Sequence, residues 1–367
     1  MDATLTDGVV RAGTDARERF YDSRGYGHPV DGGELELAPV EAAHLLYRGD
    51  LAAVDGQSFR TFLTSAAVSE TAFLVYKDLR DRGFYLSPAR EAWTADGFAL
   101  GEGASADFVV YPRGSGPWDG DIAYRVRVVG EREPVAAATL GEAVLAVVDE
   151  ESEITYLETA RPDVAGSTAV NLPEGIPAEL LAERAFVWDP PARLYESGFF
   201  GQRLDDGDGK VLQLSLVEAA YLARHGALAV TGGAETVVER GREADNEARS
   251  ASERTSGPES PRVEGERFDR RLRAYTELRE RGVVPKTGFK FGADFRTYAD
   301  VDSVDSLGHS ELLVRVLDAD HAFAPRDLAL DVRLAHGVRK EMVFALVEDG
   351  SEPDAGVGWV SVNRLTP

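Results

Sequence analysis

One short pattern occurs twice in this chain, and it limits what the chain can fold into more than any other feature. The segment "ADFVVY" at 106 to 111 returns as "ADFRTY" at 293 to 298. Four more pairs recur in the same order: "RFYDSRGYG" (19 to 27) with "RLYESGFFG" (193 to 201), "LAPVEAAHLLYRGDL" (37 to 51) with "LSLVEAAYLARHGAL" (214 to 228), "VYKDLRDRG" (75 to 83) with "AYTELRERG" (274 to 282), and "AVLAVVDE" (143 to 150) with "MVFALVED" (342 to 349). Such matches in one order indicate an internal duplication, and a period of nearly half the chain suits two homologous domains rather than a solenoid. A chain of 367 residues is long enough for two separate cores. The repeats are read as residues 1–165 and 177–367, joined by a linker at 166–176.

Local signals assign the same elements to both copies. Ser215 and Glu218 form a capping box for a helix over 216–225, and Gly226 stops it; Pro39 and Gly49 do the equivalent in the first copy. Phe268, Leu272, Tyr275 and Leu278 share one face of a helix ending at Gly282. Strand-like runs follow at 108–111, 122–129, 143–148 and 154–159, then at 294–298, 311–317, 342–347 and 357–362. The fold class is therefore α+β (mixed α/β) in tandem duplication. Each repeat should hold a small helix-plus-antiparallel-sheet subdomain followed by a nuclease-like mixed-sheet subdomain. The stretch 230–262 has few apolar residues and many Gly, Ser, Glu and Arg, and reads as a mobile insertion without a counterpart in the first copy.

Composition narrows the chemistry. With no cysteine there is no disulfide, no thiolate metal site and no cysteine nucleophile. No apolar run of membrane-spanning length and no leader segment stand out, so a soluble, cytoplasmic protein without a membrane partner is expected. The formal charge of −24 would repel a polyanion in dilute solution. Yet lysine occurs at only five positions (77, 210, 286, 290 and 340). Acid enrichment with lysine depletion is the composition of salt-loving microbes, and in molar salt the screening length falls to about 3 Å. Net charge thus leaves a nucleic-acid partner open.

The two copies differ in what they carry. Aligning the strand runs pairs Tyr298 with Tyr111, His309 with Asp121 and Lys340 with Gly141. The second copy therefore holds Tyr, His and Lys, whereas the first holds the tyrosine alone, and the first is also shorter between its last two apolar runs. Tyr, His and Lys form a set suited to cleaving RNA through its own 2′-hydroxyl, with no metal and no cofactor. The phenol accepts the 2′-proton, the imidazole protonates the 5′-oxygen, and the ammonium stabilises the charged phosphorane. Two other classes stay open: a metal-dependent nuclease using Asp294 and Glu341, and a non-catalytic RNA-binding or assembly subunit.

These residues, with "GFKFGADFRTY", "HSELLVRV", "VRLAHGVRKEMVFAL", "YESGFFG" and "LSLVEAAYL", make the chain resemble the archaeal tRNA-splicing endonuclease, in the version where one polypeptide holds two repeats and forms a homodimer. The resemblance spans nearly the whole chain outside 230–262. It implies that Tyr298, His309 and Lys340 are the catalytic triad and that the substrate is precursor tRNA with a bulge–helix–bulge motif, cut to a 2′,3′-cyclic phosphate and a 5′-hydroxyl. It implies two RNA-binding arginines that grip a flipped base, matching Arg333 and Arg364, with Arg339 as competitor for the second place. It also implies an acidic loop of the inactive repeat entering a basic pocket of the partner, which points to Asp149, Glu150, Glu151 and Glu153.

Overall fold

The recurring segments become recurring elements. In this computed structural model, which describes residues 1–90, 93–94, 105–204, 211–256, 265–348 and 356–367, the chain forms two units. One comprises 1–161, 322–333 and 362–367, the other 162–321 and 334–361. The architecture is mixed α and β, as the sequence implies.

In the first unit, the strands Asp2–Thr6, Val9–Ala12 and Leu35–Leu37 pair antiparallel, and Ala53–Val54 joins one edge in parallel. Helix α1 (Pro39–Tyr47) opens on proline, whose missing N–H is one the first turn could not have used, and buries Ala42, Ala43, Leu45 and Leu46. After the short α2 (Phe59–Leu63), α3 (Glu70–Asp81) starts at Ser69, whose side chain accepts from the Ala72 N–H. Its buried face carries Phe73, Val75, Tyr76 and Leu79. A mixed sheet follows, made of β1 (Leu86–Pro88), β2 (Phe108–Val110), β3 (Tyr124–Gly130), β4 (Val144–Val148) and β5 (Ile154–Ala160). Strands β3 and β4 run parallel and the other neighbours antiparallel.

The second unit repeats the plan. A small antiparallel sheet includes Arg184–Trp188 and Val211–Ser215, with α4 (Ala192–Glu196) between these strands in the chain and α5 (Leu216–Arg224) after them. The Ser215–Glu218 capping box forms as the spacing indicates. Helices α6 (Gly233–Ser256) and α7 (Glu266–Glu280) lead to β6 (Val284–Thr287), β7 (Phe295–Tyr298), β8 (Leu312–Asp318), β9 (Glu341–Val347) and β10 (Val357–Leu365), adjacent in that order. Here β8 and β9 are parallel, and the chain between them forms α8 (Pro325–Gly337), of which residues 325–333 belong to the first unit. The matching stretch of the first unit holds a two-residue strand, Val135–Ala136, and a three-residue 3-10 turn, Ala137–Thr139, in place of an α-helix.

Within the stretch 230–262, residues 233–256 form a helix that packs against α5 and α7. Few apolar residues suffice there. Val237 and Val238 are fully buried, and Gly241 lacks the Cβ that would otherwise stand 2.1 Å from the Phe268 ring. The polar side chains are spent on ion pairs, Arg240 with Glu243 at 2.6 Å and Arg242 with Asp269 at 3.0 Å. Residues 257–262 lie outside the described residues. In the stretch read as a linker, the N–H groups of Gly166 and Thr168 donate to the carbonyls of Arg281 and Gly282, and Ser167 donates to Ala299.

Candidate active site

Strand direction gathers the three candidate residues. Tyr298 is the last residue of β7, His309 lies three residues before β8, and Lys340 immediately precedes β9. Because β7 is antiparallel to β8 and β8 is parallel to β9, these positions share one end of the sheet. The ladder fixes the register there. The Glu311 N–H donates to the Thr297 carbonyl at 3.1 Å, Glu341 donates to Glu311 at 3.2 Å, and Leu312 stands opposite Glu341.

Each side chain has a distinct setting. The Lys340 ammonium donates to both oxygens of buried Ser310, to its hydroxyl at 2.6 Å and to its carbonyl. Ser310 directly follows His309, so this contact ties the imidazole's chain segment to the lysine. The Phe291 ring centroid lies 5.7 Å from the same ammonium. Partial burial, with the nearby Arg296 guanidinium adding to it, lowers the Lys340 pKa from the ordinary lysine value. His309 is exposed, open to a ligand. The Tyr298 ring is buried among Phe199, Val284 and Val301, edge-on to Phe199 at 5.7 Å and 61°. The Arg296 guanidinium lies 5.7 Å from that ring. The backbone positions that carry a phenol, an imidazole and an ammonium thus lie at one end of the sheet.

The first unit lacks this set. Its tyrosine, Tyr111, is buried, and its hydroxyl donates to Ser87 Oγ at 3.0 Å. Asp121 is exposed in a loop, and Gly141 adopts φ +117°, where a Cβ would lie 2.6 Å from the Arg161 side chain. Neither an imidazole nor an ammonium occupies the matching positions.

Other assigned residues stand as follows. Arg333 is exposed on α8, and Arg364 is exposed on β10. Arg339, the competitor, is exposed at φ +57° just before Lys340. The hairpin between β4 and β5 carries the acidic residues. Asp149 Oδ1 accepts from the N–H groups of Glu151 at 2.9 Å and Glu153 at 2.8 Å, which folds the loop around it. Glu150 pairs with Arg132 at 2.6 Å, and Glu151 and Glu153 face solvent. In the second unit, Arg267, Arg270, Arg315 and His321 line a cleft of about 500 Å³ together with Phe289, which is 86% exposed. Local sequence signals do not single out Ser310, Phe199 or Lys286. The scarcity of lysine was a signal that could have drawn attention to Lys286.

The model of the tRNA intron endonuclease catalytic C-terminal domain matches residues 268–355, a span that contains Tyr298, His309 and Lys340. The N-terminal domain model of the same family matches twice, at 1–63 and at 176–240. A tRNA-splicing endonuclease of Haloarcula marismortui is 62% identical over the whole length of both chains. One of Natronomonas pharaonis is 60% identical over the same extent.

The chain belongs to the tRNA intron endonuclease family.

The likeness extends beyond salt-loving relatives. A tRNA-splicing endonuclease of Methanococcoides burtonii is 35% identical over all of this chain and 99% of its own. Membership makes the protein an endonuclease, and the catalytic-domain match assigns its chemistry to the C-terminal part. The acidic, lysine-poor composition agrees with the haloarchaeal relatives. The second match of the N-terminal model runs to residue 240, into the stretch expected to lack a counterpart. Among the described residues, no helix is long and apolar enough to cross a membrane.

Proposed function

We propose that this endonuclease excises introns from precursor tRNA at bulge–helix–bulge junctions by attack of the RNA's own 2′-hydroxyl. Tyr298 takes the 2′-proton as the 2′-oxygen bonds to the adjacent phosphorus. His309 delivers a proton to the 5′-oxygen as the phosphorus–oxygen bond breaks, and Lys340 stabilises the charge on the phosphorane oxygens. The products are a 2′,3′-cyclic phosphate and a 5′-hydroxyl. The observation that supports this reading is the strand pairing that brings the backbone positions of Tyr298, His309 and Lys340 to one sheet end, inside the span matched by the catalytic-domain model. Arg333 and Arg364 grip a flipped base of the bulge, since a guanidinium plane stacks on a base and keeps its hold in high salt.

The working form is a homodimer in which residues 1–165 act as a structural repeat and 177–367 as the catalytic one. The acidic hairpin supports assembly in two ways. Asp149 shapes the loop from within, while Glu150, Glu151 and Glu153 present charge to the partner's Arg267, Arg270 and Arg315 cleft.

The deciding experiment is incubation with an intron-containing precursor tRNA in EDTA and high salt, followed by analysis of product ends. Cyclic phosphate ends are expected from the native protein. His309→Ala should bind the RNA and cleave it orders of magnitude more slowly. Complete loss of native cleavage in EDTA would instead favour a metal-dependent nuclease.

A further inference from the structure

The two units contain one device in two forms, and the difference lies beside the strand tyrosine. In each, a buried glutamate on the first helix turn accepts from the N–H of a left-handed glycine: Glu218 from Gly201 at 2.9 Å, Glu41 from Gly27 at 2.8 Å. A Cβ on either glycine would meet a backbone carbonyl at 2.3 Å, so the glycines are obligatory. In each, an arginine covers the aromatic residue before that glycine, Arg279 over Phe200 at 3.9 Å and Arg80 over Tyr26 at 3.7 Å.

Two positions break the match. Strand pairing sets Lys286 opposite Arg296, two residues before Tyr298, and Ser87 opposite Val109, two residues before Tyr111. Lys286 is therefore the counterpart of Ser87. The repeat alignment likewise makes Phe199 the counterpart of Gly25. Gly25 has φ +63°, and Phe199 keeps the same left-handed backbone at φ +49° despite its Cβ and ring. A bulky residue adopts that conformation only where its surroundings impose it, and such residues gather at functional sites.

The surroundings are explicit. The Lys286 ammonium has three protons and three acceptors: the Phe199 carbonyl at 3.1 Å, the Gly201 carbonyl at 2.8 Å and Glu218 Oε1 at 3.0 Å. It also sits 4.7 Å from the Phe199 ring centroid. Phe199 is 6% exposed, and its ring lies between Tyr195 at 6.0 Å and Tyr298 at 5.7 Å, edge-on to both. In the first unit, where glycine and serine replace this pair, the tyrosine hydroxyl is bonded inward to Ser87. Among the described residues, the Tyr298 hydroxyl has no such partner.

We propose that Phe199, held in its left-handed conformation by Lys286, is the positioning residue for Tyr298. Its ring edge fixes the phenol, and lysine at position 286 removes the inward partner that the other copy supplies, leaving the Tyr298 hydroxyl for the RNA 2′-hydroxyl. The proposal rests on Tyr298 acting as the base, so its test includes Tyr298→Phe.

Single-turnover cleavage and binding of precursor tRNA are measured for Phe199→Gly, Phe199→Tyr and Tyr298→Phe. Phe199→Gly copies the first unit and relieves the backbone, so it should bind RNA as the native protein does and cleave it on the order of 10- to 100-fold more slowly. Phe199→Tyr keeps the ring and should cleave within about twofold of native. If Phe199→Gly does not fold, Phe199→Leu, which keeps bulk but no ring edge, should show the same loss of rate. Native cleavage by the variant lacking the ring overturns the proposal. So does a Phe199→Tyr variant as slow as Phe199→Gly, or a defect confined to RNA binding. Should Tyr298→Phe itself cleave at the native rate, the catalytic reading fails first and the positioning role falls with it.

Discussion

The Lys286 ammonium lies 3.0 Å from the Glu218 carboxylate, with side chains only 11% and 9% exposed. Burial alone would push the Glu218 carboxyl up, but Lys286 and the N–H groups of Gly201 and Ser215 outweigh it and hold its pKa at about 2. The matching carboxyl of Glu41 has no lysine. Burial raises it to about 7 against the pull of the Gly27 and Ala38 N–H groups and Arg80.

The two glutamates should therefore titrate far apart, which carbon NMR of labelled side-chain carboxyls would resolve. The signs follow from linkage. Glu218 is depressed, so its contribution to stability is present above 4.5 and lost as pH falls through about 2. Glu41 is raised, so its contribution is complete below 4.5 and lost as pH rises through about 7. Replacing Lys286 by Met should move Glu218 upward and cost about 3–5 kcal/mol, because an unpaired buried charge remains. Two carboxyls titrating together near 4.5 would refute the assignment.

The paired tyrosines should separate stability from catalysis. Tyr111→Phe deletes the hydrogen bond to Ser87 and should cost roughly 1 kcal/mol with cleavage unchanged. Tyr298→Phe should do the reverse, abolishing cleavage with little change in melting temperature. Melting curves and cleavage rates on the same samples make the comparison. A Tyr111→Phe variant that melts normally yet cleaves slowly would mean that the first unit takes part in the chemistry.

Ser310 should matter through Lys340. Removing its hydroxyl by Ser310→Ala deletes the 2.6 Å contact that orients the ammonium. The single-turnover rate should fall between about tenfold and a hundredfold. Lys340→Ala should cost on the order of 10²- to 10³-fold, and RNA binding measured by filter retention should survive both changes. Equal, native rates in the two variants would remove this pair from the site.

Helix α6 offers a test of packing away from the chemistry. Gly241→Ala would drive a Cβ to within 2.1 Å of the Phe268 ring, and such overpacking typically costs about 1–3 kcal/mol. A lowered unfolding midpoint in denaturant is the expected result. An unchanged midpoint would show that the helix is not seated on α7.

The sequence by itself determined the duplication, the strand segments and the contrast between the copies at Tyr298, His309 and Lys340, because these depend on local signals. Alternating apolar residues mark the strands, Ser215 with Glu218 marks a helix start, and the contrast between copies marks which one kept polar groups. Local composition at 230–262 did not show the helix over 233–256, which is seated where Gly241 lets Phe268 approach. Only the tertiary structure decided which partner each lysine meets. Lys340 meets Ser310 across 30 residues and Lys286 meets Phe199 across 87, and neither spacing carries a period that a reader of the chain could detect. Helix and strand formation is set within a few residues, whereas the aim of a side chain depends on packing between segments far apart in the chain. That is why the armed copy could be picked out from its letters, and the left-handed phenylalanine behind its tyrosine could not.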